Sequence, residues 1–147
     1  WMDALRAFGT KGGRITTGDD AGFIYSLYGF GLIRELELHE EAGFHPLEVI
    51  SHATVNGATL LGMGHELGRV RTGYLADLLV VNGNPIENLR VLNPYGIEEL
   101  RDGKVVRGGG IEWTIKDGIP YHVPTLMAEV KAMVDDAKRK LPAATSP

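Results

Sequence analysis

The hydrophobic pattern changes at residue 67, and this change constrains the fold more than any other feature of the 147-residue chain. Before it, apolar residues such as Leu47, Ile50 and Leu61 recur at the spacing of one helix face. After it, short β-branched runs are separated by turn pairs, a pattern typical of antiparallel sheets. The sequence therefore predicts an α/β chain in which a mainly helical part precedes a β-rich part.

Residues 14–23, which read R-I-T-T-G-D-D-A-G-F, interrupt the helical part. The β-branched run 15–17 favours an extended backbone, and Gly18 marks a bend or a close backbone approach. The next residues, 19–22, tolerate turn geometry. We therefore expect a strand over residues 14–18 with a carboxylate at its C-terminal end.

Either Asp19 or Asp20 is the candidate site residue of this stretch. Active sites of α/β proteins with parallel strands are assembled at the C-terminal ends of the strands. Successive side chains point to opposite sides of a strand, so the two carboxylates cannot both face one centre. The alternative interpretation is that the pair belongs to an ordinary surface turn.

Caps and turn residues divide the two parts into elements. Pro46 suits the first turn of a helix, and Gly62 is expected to end that helix. The acidic residues of the preceding helix, Glu35 among them, are expected on a solvated face. Asp-Gly pairs between strand-like runs are strong hairpin signals. The predicted elements are helices over residues 1–8, 32–41, 46–61 and 126–137, strands over 67–71 and 75–81, and hairpins over 97–106 and 111–122 that turn at Asp102-Gly103 and Asp117-Gly118.

Bulk properties exclude several classes of function. A net charge of -4 and a pI near 5.7 argue against a nucleic-acid-binding surface. The absence of cysteine excludes a disulfide framework and thiol chemistry, and it fits a cytoplasmic protein. No apolar stretch approaches the about 18 residues of a membrane span, so membrane insertion is not expected. The chain is also shorter than a complete (β/α) barrel of about 250 residues and begins at Trp1 inside an expected helix, which indicates a fragment.

Three motifs occur in an order that resembles a known family. They are G-D-D-A-G-F at residues 18–23, E-L-E-L-H-E-E-A-G-F-H-P-L-E-V-I-S-H-A-T-V-N-G-A-T-L-L-G at 35–62 and L-G-R-V-R-T-G-Y-L-A-D-L-L-V-V-N-G-N-P-I-E-N-L at 67–89. Together they resemble the C-terminal third of the amidohydrolase superfamily, in its imidazolonepropionase-like and metal-dependent dipeptidase (prolidase-like) branch. The resemblance covers about residues 1–107 and is more specific than any single motif.

The resemblance implies a fold and a division into domains. Residues 1–66 would be the last strand and helices of a TIM-barrel-type metal-dependent hydrolase. Residues 67–122 would form the small β-sandwich segment beside the barrel, and residues 123–147 a C-terminal helix and tail. In this family the L-A-D-L motif is structural, which implies a structural role for Asp77.

The resemblance also implies the site residues. The eighth barrel strand of the family ends in Gly-Thr/Ser-Asp, whose Asp is a metal ligand and general base. Asp19 stands in the Thr/Ser place, so the implied catalytic residue and metal ligand is Asp20. The aromatic stretch that follows would line the pocket, with Phe23 and Tyr25 as substrate-binding candidates. The alternative is that these rings pack against neighbouring helices.

The implied activity is metal-dependent hydrolysis of an amide or peptide C-N bond, with zinc or another divalent metal and a small amide or dipeptide substrate. The family's early His-x-His, its lysine and its two further barrel histidines are absent from the chain. Its five histidines show no ligand spacing, and each is expected to be structural or solvated. We therefore expect one part of a metal site, with no zinc bound stoichiometrically by this chain alone.

Two expectations concern partners. The missing N-terminal barrel half would complete the site, and the exposed edges and apolar surface of an incomplete barrel favour a homo-oligomer. Neither a nucleic acid nor a membrane is expected as a partner. The alternative function is a catalytically silent structural or interaction module derived from the same fold.

Overall fold

The computed structural model describes residues 1–23 and 27–140 and has a mixed α/β fold. A helical N-terminal part is followed by five short strands and a long closing helix. None of the helices in the described residues is long and apolar enough to cross a bilayer. The elements are α1 (Met2–Thr10), α2 (Gly31–Glu41), α3 (Pro46–Ser51), a π-helical segment (His52–Asn56), α4 (Gly57–Leu60), β1 (Leu78–Val81), a 3-10 turn (Leu89–Leu92), β2 (Ile97–Arg101), β3 (Lys104–Gly108), β4 (Ile111–Lys116), β5 (Ile119–His122) and α5 (Val123–Lys140).

The helix predicted over residues 46–61 is confirmed, and its start is fixed by a capping box at His45. The imidazole Nδ1 of His45 accepts a hydrogen bond of 3.2 Å from the backbone N-H of Leu47. The Glu48 carboxylate accepts one of 2.8 Å from the backbone N-H of His45. These two bonds satisfy N-H groups that the first helical turn leaves unpaired.

The centre of this helix widens into a π-helical turn at His52–Asn56, which the sequence pattern did not predict. Single π-turns inside α-helices occur often at functional sites. Asn56, the last residue of the π turn, lies against the segment that carries Asp20.

The core joins the helical part to the β-rich part. Val49 is fully buried and Leu89, from the 3-10 turn after β1, is 1% exposed. Both belong to one cluster of buried side chains, which also contains Ile15, Leu36, Ala42 and Phe44. The packing of Ile15 in this cluster fixes the segment that precedes Asp20.

The β-rich part is antiparallel, as predicted, and both predicted hairpins are confirmed. Strands β1, β4 and β5 form one sheet in the order β1-β4-β5, and β2 and β3 form a second. Asp102 and Asp117 have φ values of 50° and 51°, so each opens its turn in the left-handed conformation that two-residue hairpins require. The closing helix is also confirmed, as α5, although Val123 is its only buried residue within the described chain.

Two predicted strands are wrong. Residues 14–18 form no ladder with any strand of the described chain, because a ladder requires a neighbouring strand and none lies beside them. Residues 67–71 form turns instead of a strand: the N-H of Leu67 bonds the carbonyl of Met63 at 3.0 Å, and Gly68 has a φ of 82°. The predicted strand 75–81 is shorter than expected, since only Leu78–Val81 pairs with β4.

Candidate active site

Asp20 lies in a tight turn after the extended segment, and its side chain is exposed. Its carbonyl oxygen accepts a hydrogen bond of 3.2 Å from the N-H of Phe23. Its φ of 47° lies in the left-handed region, which Asp adopts more readily than most residues. Non-glycine residues in this region cluster at active sites and ligand-binding turns. The turn therefore presents one carboxylate outward from a constrained backbone.

The other predicted site residues are less defined by the structure. Asp19 is half-exposed, in contrast to Asp20. The ring of Phe23 is 63% exposed, so it packs loosely beside the turn. Tyr25 lies outside the described residues. The assignment of Asp20, Phe23 and Tyr25 to catalysis, metal binding and substrate binding stays a prediction.

Two side chains from the helices hold the segment before Asp20. The Asn56 side chain donates a hydrogen bond of 2.8 Å from Nδ2 to the carbonyl oxygen of Ile15. The Glu35 carboxylate accepts one of 3.3 Å from the backbone N-H of Gly18. Residues 14–18 have no strand partner within the described chain, and these two side-chain contacts bind their backbone instead. The contacts fix the direction in which the chain enters the turn.

A buried pair of histidines lies behind Glu35. The Nδ1 atoms of His39 and His52 are 3.0 Å apart, and the two residues are 5% and 6% exposed. His39 Nε2 faces the Glu35 carboxylate at 3.5 Å. Burial, followed by the electrostatic effect of His39, lowers the pKa of His52, and Glu48 acts in the opposite direction. The two Nδ1 atoms are close enough to share one hydrogen bond.

Sequence reasoning placed His39 and His52 on helix surfaces or in helix packing and did not pair them. His39 follows the core residue Leu36 by three positions, so both side chains face inward from α2. His52, the first residue of the π-helical segment, follows the fully buried Val49 of α3 by three positions and faces inward for the same reason. The three-residue spacing of each histidine from a core residue was the sequence signal that could have indicated its burial.

The remaining three histidines have protein partners. His45 caps α3, and His65 Nε2 lies 2.8 Å from a carboxylate oxygen of Glu66. His122, for which sequence reasoning found no partner, bonds Thr125 at 2.8 Å and faces Glu112 at 3.3 Å.

The described residues do not form a metal site by themselves. No group of three or more His, Cys, Asp or Glu side chains within them could hold an ion. Catalytic zinc sites usually have three protein ligands, and here the two buried histidines face each other. Asp20 can therefore supply one ligand at most, and the other ligands would have to come from outside the described residues.

A cavity of about 350 Å³ lies between α1 and α3. Its polar lining comes from Arg6, Glu48, His52 and Asn56, among others, and Asp20 is not part of the lining. The cavity is thus on the helix side of the Ile15 segment and is separate from the candidate catalytic carboxylate.

Comparison with known proteins gives one family. Residues 2–109 match the family model of the amidohydrolase family. A crystal structure of an Xaa-Pro dipeptidase with methionine bound in its active site is 32% identical, with a TM-score of 0.64, and the match covers 82% of this chain and 25% of that one. A crystal structure from Bifidobacterium longum, of a protein provisionally named a prolidase, is 31% identical, with a TM-score of 0.67. This match covers 93% of this chain and 30% of that one.

A curated relative has a different named activity. Adenine deaminase 4 of Rhizobium meliloti is 29% identical over an alignment of 106 residues, and the match covers 62% of this chain and 18% of the relative. The chain therefore spans less than a third of the length of each of these proteins. Their names describe hydrolysis of C-N bonds, in a dipeptide or at an amine.

Proposed function

The chain belongs to the amidohydrolase family, in its prolidase-like branch, and on this basis we propose that it provides the last part of a metal-dependent active site that hydrolyses an amide or peptide C-N bond. The observation that carries the proposal is the turn at Asp20. It presents an exposed carboxylate, in the motif that the family uses for its catalytic aspartate, on a backbone that two helix side chains hold in place.

Asp20 is the general base in this proposal. Its carboxylate accepts a proton from the attacking water as the water oxygen bonds the carbonyl carbon of the substrate. The same proton then passes to the nitrogen as the C-N bond breaks, so that the products are a carboxylic acid and an amine. A carboxylate suits both transfers because it accepts and returns a proton within hydrogen-bond distance.

Zinc or another divalent metal is the proposed cofactor, and Asp20 would be one of its ligands. A metal in such a site polarises the carbonyl and activates water. The other ligands would come from a further barrel segment, which we propose as the partner that completes the site. We assign a small dipeptide as the substrate because the prolidase-like relatives are similar over most of this chain.

Phe23 and Tyr25 are proposed to contact the apolar side chain of the substrate. The exposed ring of Phe23 directly follows the Asp20 turn, so a substrate held at the carboxylate would be within its reach. Closure over a substrate would bury this ring and exclude water from the reacting bond.

The test is hydrolysis of Xaa-Pro dipeptides by the enzyme that contains this chain, with Asp20→Asn compared with Asp19→Asn. Asp20→Asn removes the base and should lower kcat by about 100-fold to 10,000-fold, because general-base catalysis contributes that much. Asp19→Asn, the matched control, should have a much smaller effect. Similar activity of Asp20→Asn and the wild type would reject the assignment.

The second candidate function is a catalytically silent module, and the lack of three clustered ligand residues in the described chain favours it. The two functions differ in one measurement. Adding a homologous N-terminal barrel half and zinc to the 147-residue chain should produce dipeptide hydrolysis if the chain is part of an enzyme. No turnover and no bound metal in a complex that has formed would support the silent module.

A further inference from the structure

A line of polar contacts runs from the turn that carries Asp20 into the core. It begins at the Gly18 N-H, which donates to Glu35 Oε1 at 3.3 Å, and continues from the same oxygen to His39 Nε2 at 3.5 Å. It ends at the 3.0 Å contact between His39 and His52. The exposed turn is thus connected to two side chains that are more than nine-tenths buried.

The chemistry of the three side chains fixes which atom donates at each step. A carboxylate only accepts, so the His39 tautomer that suits this contact has its proton on Nε2, toward Glu35. Its Nδ1 is then an acceptor, and the Nδ1-H of His52 donates to it. Each imidazole is therefore held in one orientation, and the His39 ring fixes the position of the Glu35 carboxylate.

Glu35 is less exposed than the sequence pattern predicted, since the pattern placed it on a solvated helix face. Its side chain is 23% exposed, whereas that of Glu41 on the same helix is 50% exposed and pairs with Arg34 at 2.8 Å. A long flexible side chain would normally lose its contact to a backbone N-H to water. The buried His39 beneath it restricts this motion.

The backbone at Gly18 needs such a contact. Gly18 is exposed and lies two positions before Asp20, whose φ of 47° persists only when the surroundings determine it. The Asn56 contact holds the chain further back, at Ile15. Glu35 therefore holds the segment closer to the turn than Asn56 does.

We propose that Glu35, held by the His39–His52 pair, is a positioning residue that sets the direction of the Asp20 carboxylate through the backbone of Gly18. The proposal rests on the proposed function, because the direction of Asp20 matters only if Asp20 is catalytic. Glu35 touches neither substrate nor metal in this proposal. Its effect is on the geometry of the base.

Two conservative substitutions test the proposal, because length and charge can be changed separately. Glu35→Gln keeps the length and the acceptor oxygen but removes the charge. Glu35→Asp keeps the charge but is one methylene shorter, so its oxygens no longer reach Gly18. If Glu35 acts as a positioned acceptor, Gln should replace it better than Asp. Glu41→Gln, which changes a charge elsewhere on α2, is the matched control.

The first readout is hydrogen exchange of the Gly18 amide in the 147-residue chain, which does not depend on activity. Glu35→Asp should accelerate this exchange by about fivefold, the effect of losing one ordinary hydrogen bond. Glu35→Gln and Glu41→Gln should leave it near the wild-type rate. Unchanged exchange in Glu35→Asp would overturn the proposal.

The second readout is dipeptide hydrolysis by the enzyme that contains this chain. Glu35→Asp should lower kcat by about 10-fold to 100-fold with little change in KM, as expected from a displaced catalytic group. Glu35→Gln should retain most of the wild-type kcat. A loss in the Gln variant that equals or exceeds the loss in the Asp variant would overturn the proposal, and a loss confined to the Gln variant would indicate a charge effect instead. Full activity of Asp20→Asn would instead reject the proposed function. The hydrogen-exchange result would still show whether Glu35 holds the Gly18 amide.

Discussion

The Nδ2 atom of Asn56 lies 2.8 Å from the carbonyl oxygen of Ile15 and joins two residues that are 41 positions apart in sequence. Ile15 is 5% exposed, so this carbonyl group has little access to water. Asn56 ends the π-helical turn, and Ile15 begins the segment that leads to Asp20. The contact therefore connects the helix irregularity to the candidate catalytic turn.

We predict that Asn56→Asp destabilises the chain by about 1–3 kcal/mol, because it removes the donor and leaves a carboxylate facing a carbonyl oxygen. Urea denaturation at neutral pH measures the change. The matched control is Asn88→Asp. Asn88 accepts from the N-H of Arg90 through its side-chain oxygen, which Asp retains, so the control should change stability by less than about 0.5 kcal/mol. Equal losses in both variants would contradict the role given to the Asn56 contact.

Local signals explain why some elements were predictable from sequence. The two Asp-Gly hairpins depend on residues that are adjacent in the chain, and the sequence placed both turns correctly. The helix after His45 was predictable in the same way, since Pro46 marks its first turn. Each of these elements is stabilised by contacts within a few residues.

Non-local contacts explain the failures. Residues 14–18 have the composition of a strand, yet their partners in the described chain are the side chains of Glu35 and Asn56. In residues 67–71 the φ of Gly68 and the turn bond from the Leu67 N-H to the Met63 carbonyl replace the predicted strand. The orientation of Glu35 toward Gly18 depends on a buried imidazole, which no pattern within α2 indicates. The expected strand end indicated either Asp19 or Asp20 as the candidate site residue, and only the resemblance favoured Asp20.

The low pKa of His52 predicts that stability decreases in mild acid. The native chain resists protonation of His52, while the unfolded chain binds a proton below its ordinary pKa of 6.5. The unfolded state then holds more protons, so the free energy of unfolding falls as the pH drops below about 6.5. Glu48 favours the charged form of His52 and works against this decrease. Thermal unfolding between pH 7.5 and 5.5 measures this decrease.

His52→Leu isolates this contribution, since Leu cannot bind a proton. The variant should lose less stability than the wild type over the same pH range, whatever its stability at pH 7.5. His65→Leu, at a side chain that is 73% exposed, is the control and should retain the pH dependence of the wild type. Parallel curves for His52→Leu and the wild type would show that His52 does not cause the dependence.

Asp77 stabilises the β4–β5 hairpin from a position 40 residues away. Its carboxylate accepts a 2.8 Å bond from the backbone N-H of Asp117 and lies 2.9 Å from Lys116 Nζ. These contacts lower the pKa of Asp77, the backbone N-H more than the lysine. The L-A-D-L motif, for which the family resemblance implied a structural role, thus holds a hairpin turn.

We predict that Asp77→Asn lowers the stability of the chain at pH 7, because the amide binds the N-H and the ammonium group less strongly. The pKa of Asp77 is lower in the folded state than in the unfolded state, so its charged form stabilises the fold above the unfolded pKa of about 3.9. This stabilisation is lost as the pH falls through the folded pKa. The difference between wild type and variant should therefore shrink below about pH 4 in urea titrations. Asp102→Asn, at the other hairpin, is the control, since Asn suits the same left-handed turn position. A pH-independent difference for Asp77→Asn would contradict the ionic role.

The exposed apolar surface predicts self-association of the isolated chain. Soluble monomers rarely expose contiguous apolar patches larger than roughly a few hundred Å². Leu60 and Leu61, neighbours at the end of α4, are 70% and 73% exposed. Val70 is 89% exposed, and the closing helix adds Met133 at 71%. A second copy of the chain could cover such surface, and exchange between copies would then give a symmetric oligomer. We expect light scattering to report a mass above 16.0 kDa that decreases on dilution. A monodisperse 16.0 kDa species with cooperative unfolding at every concentration would show that the chain tolerates this surface as a monomer.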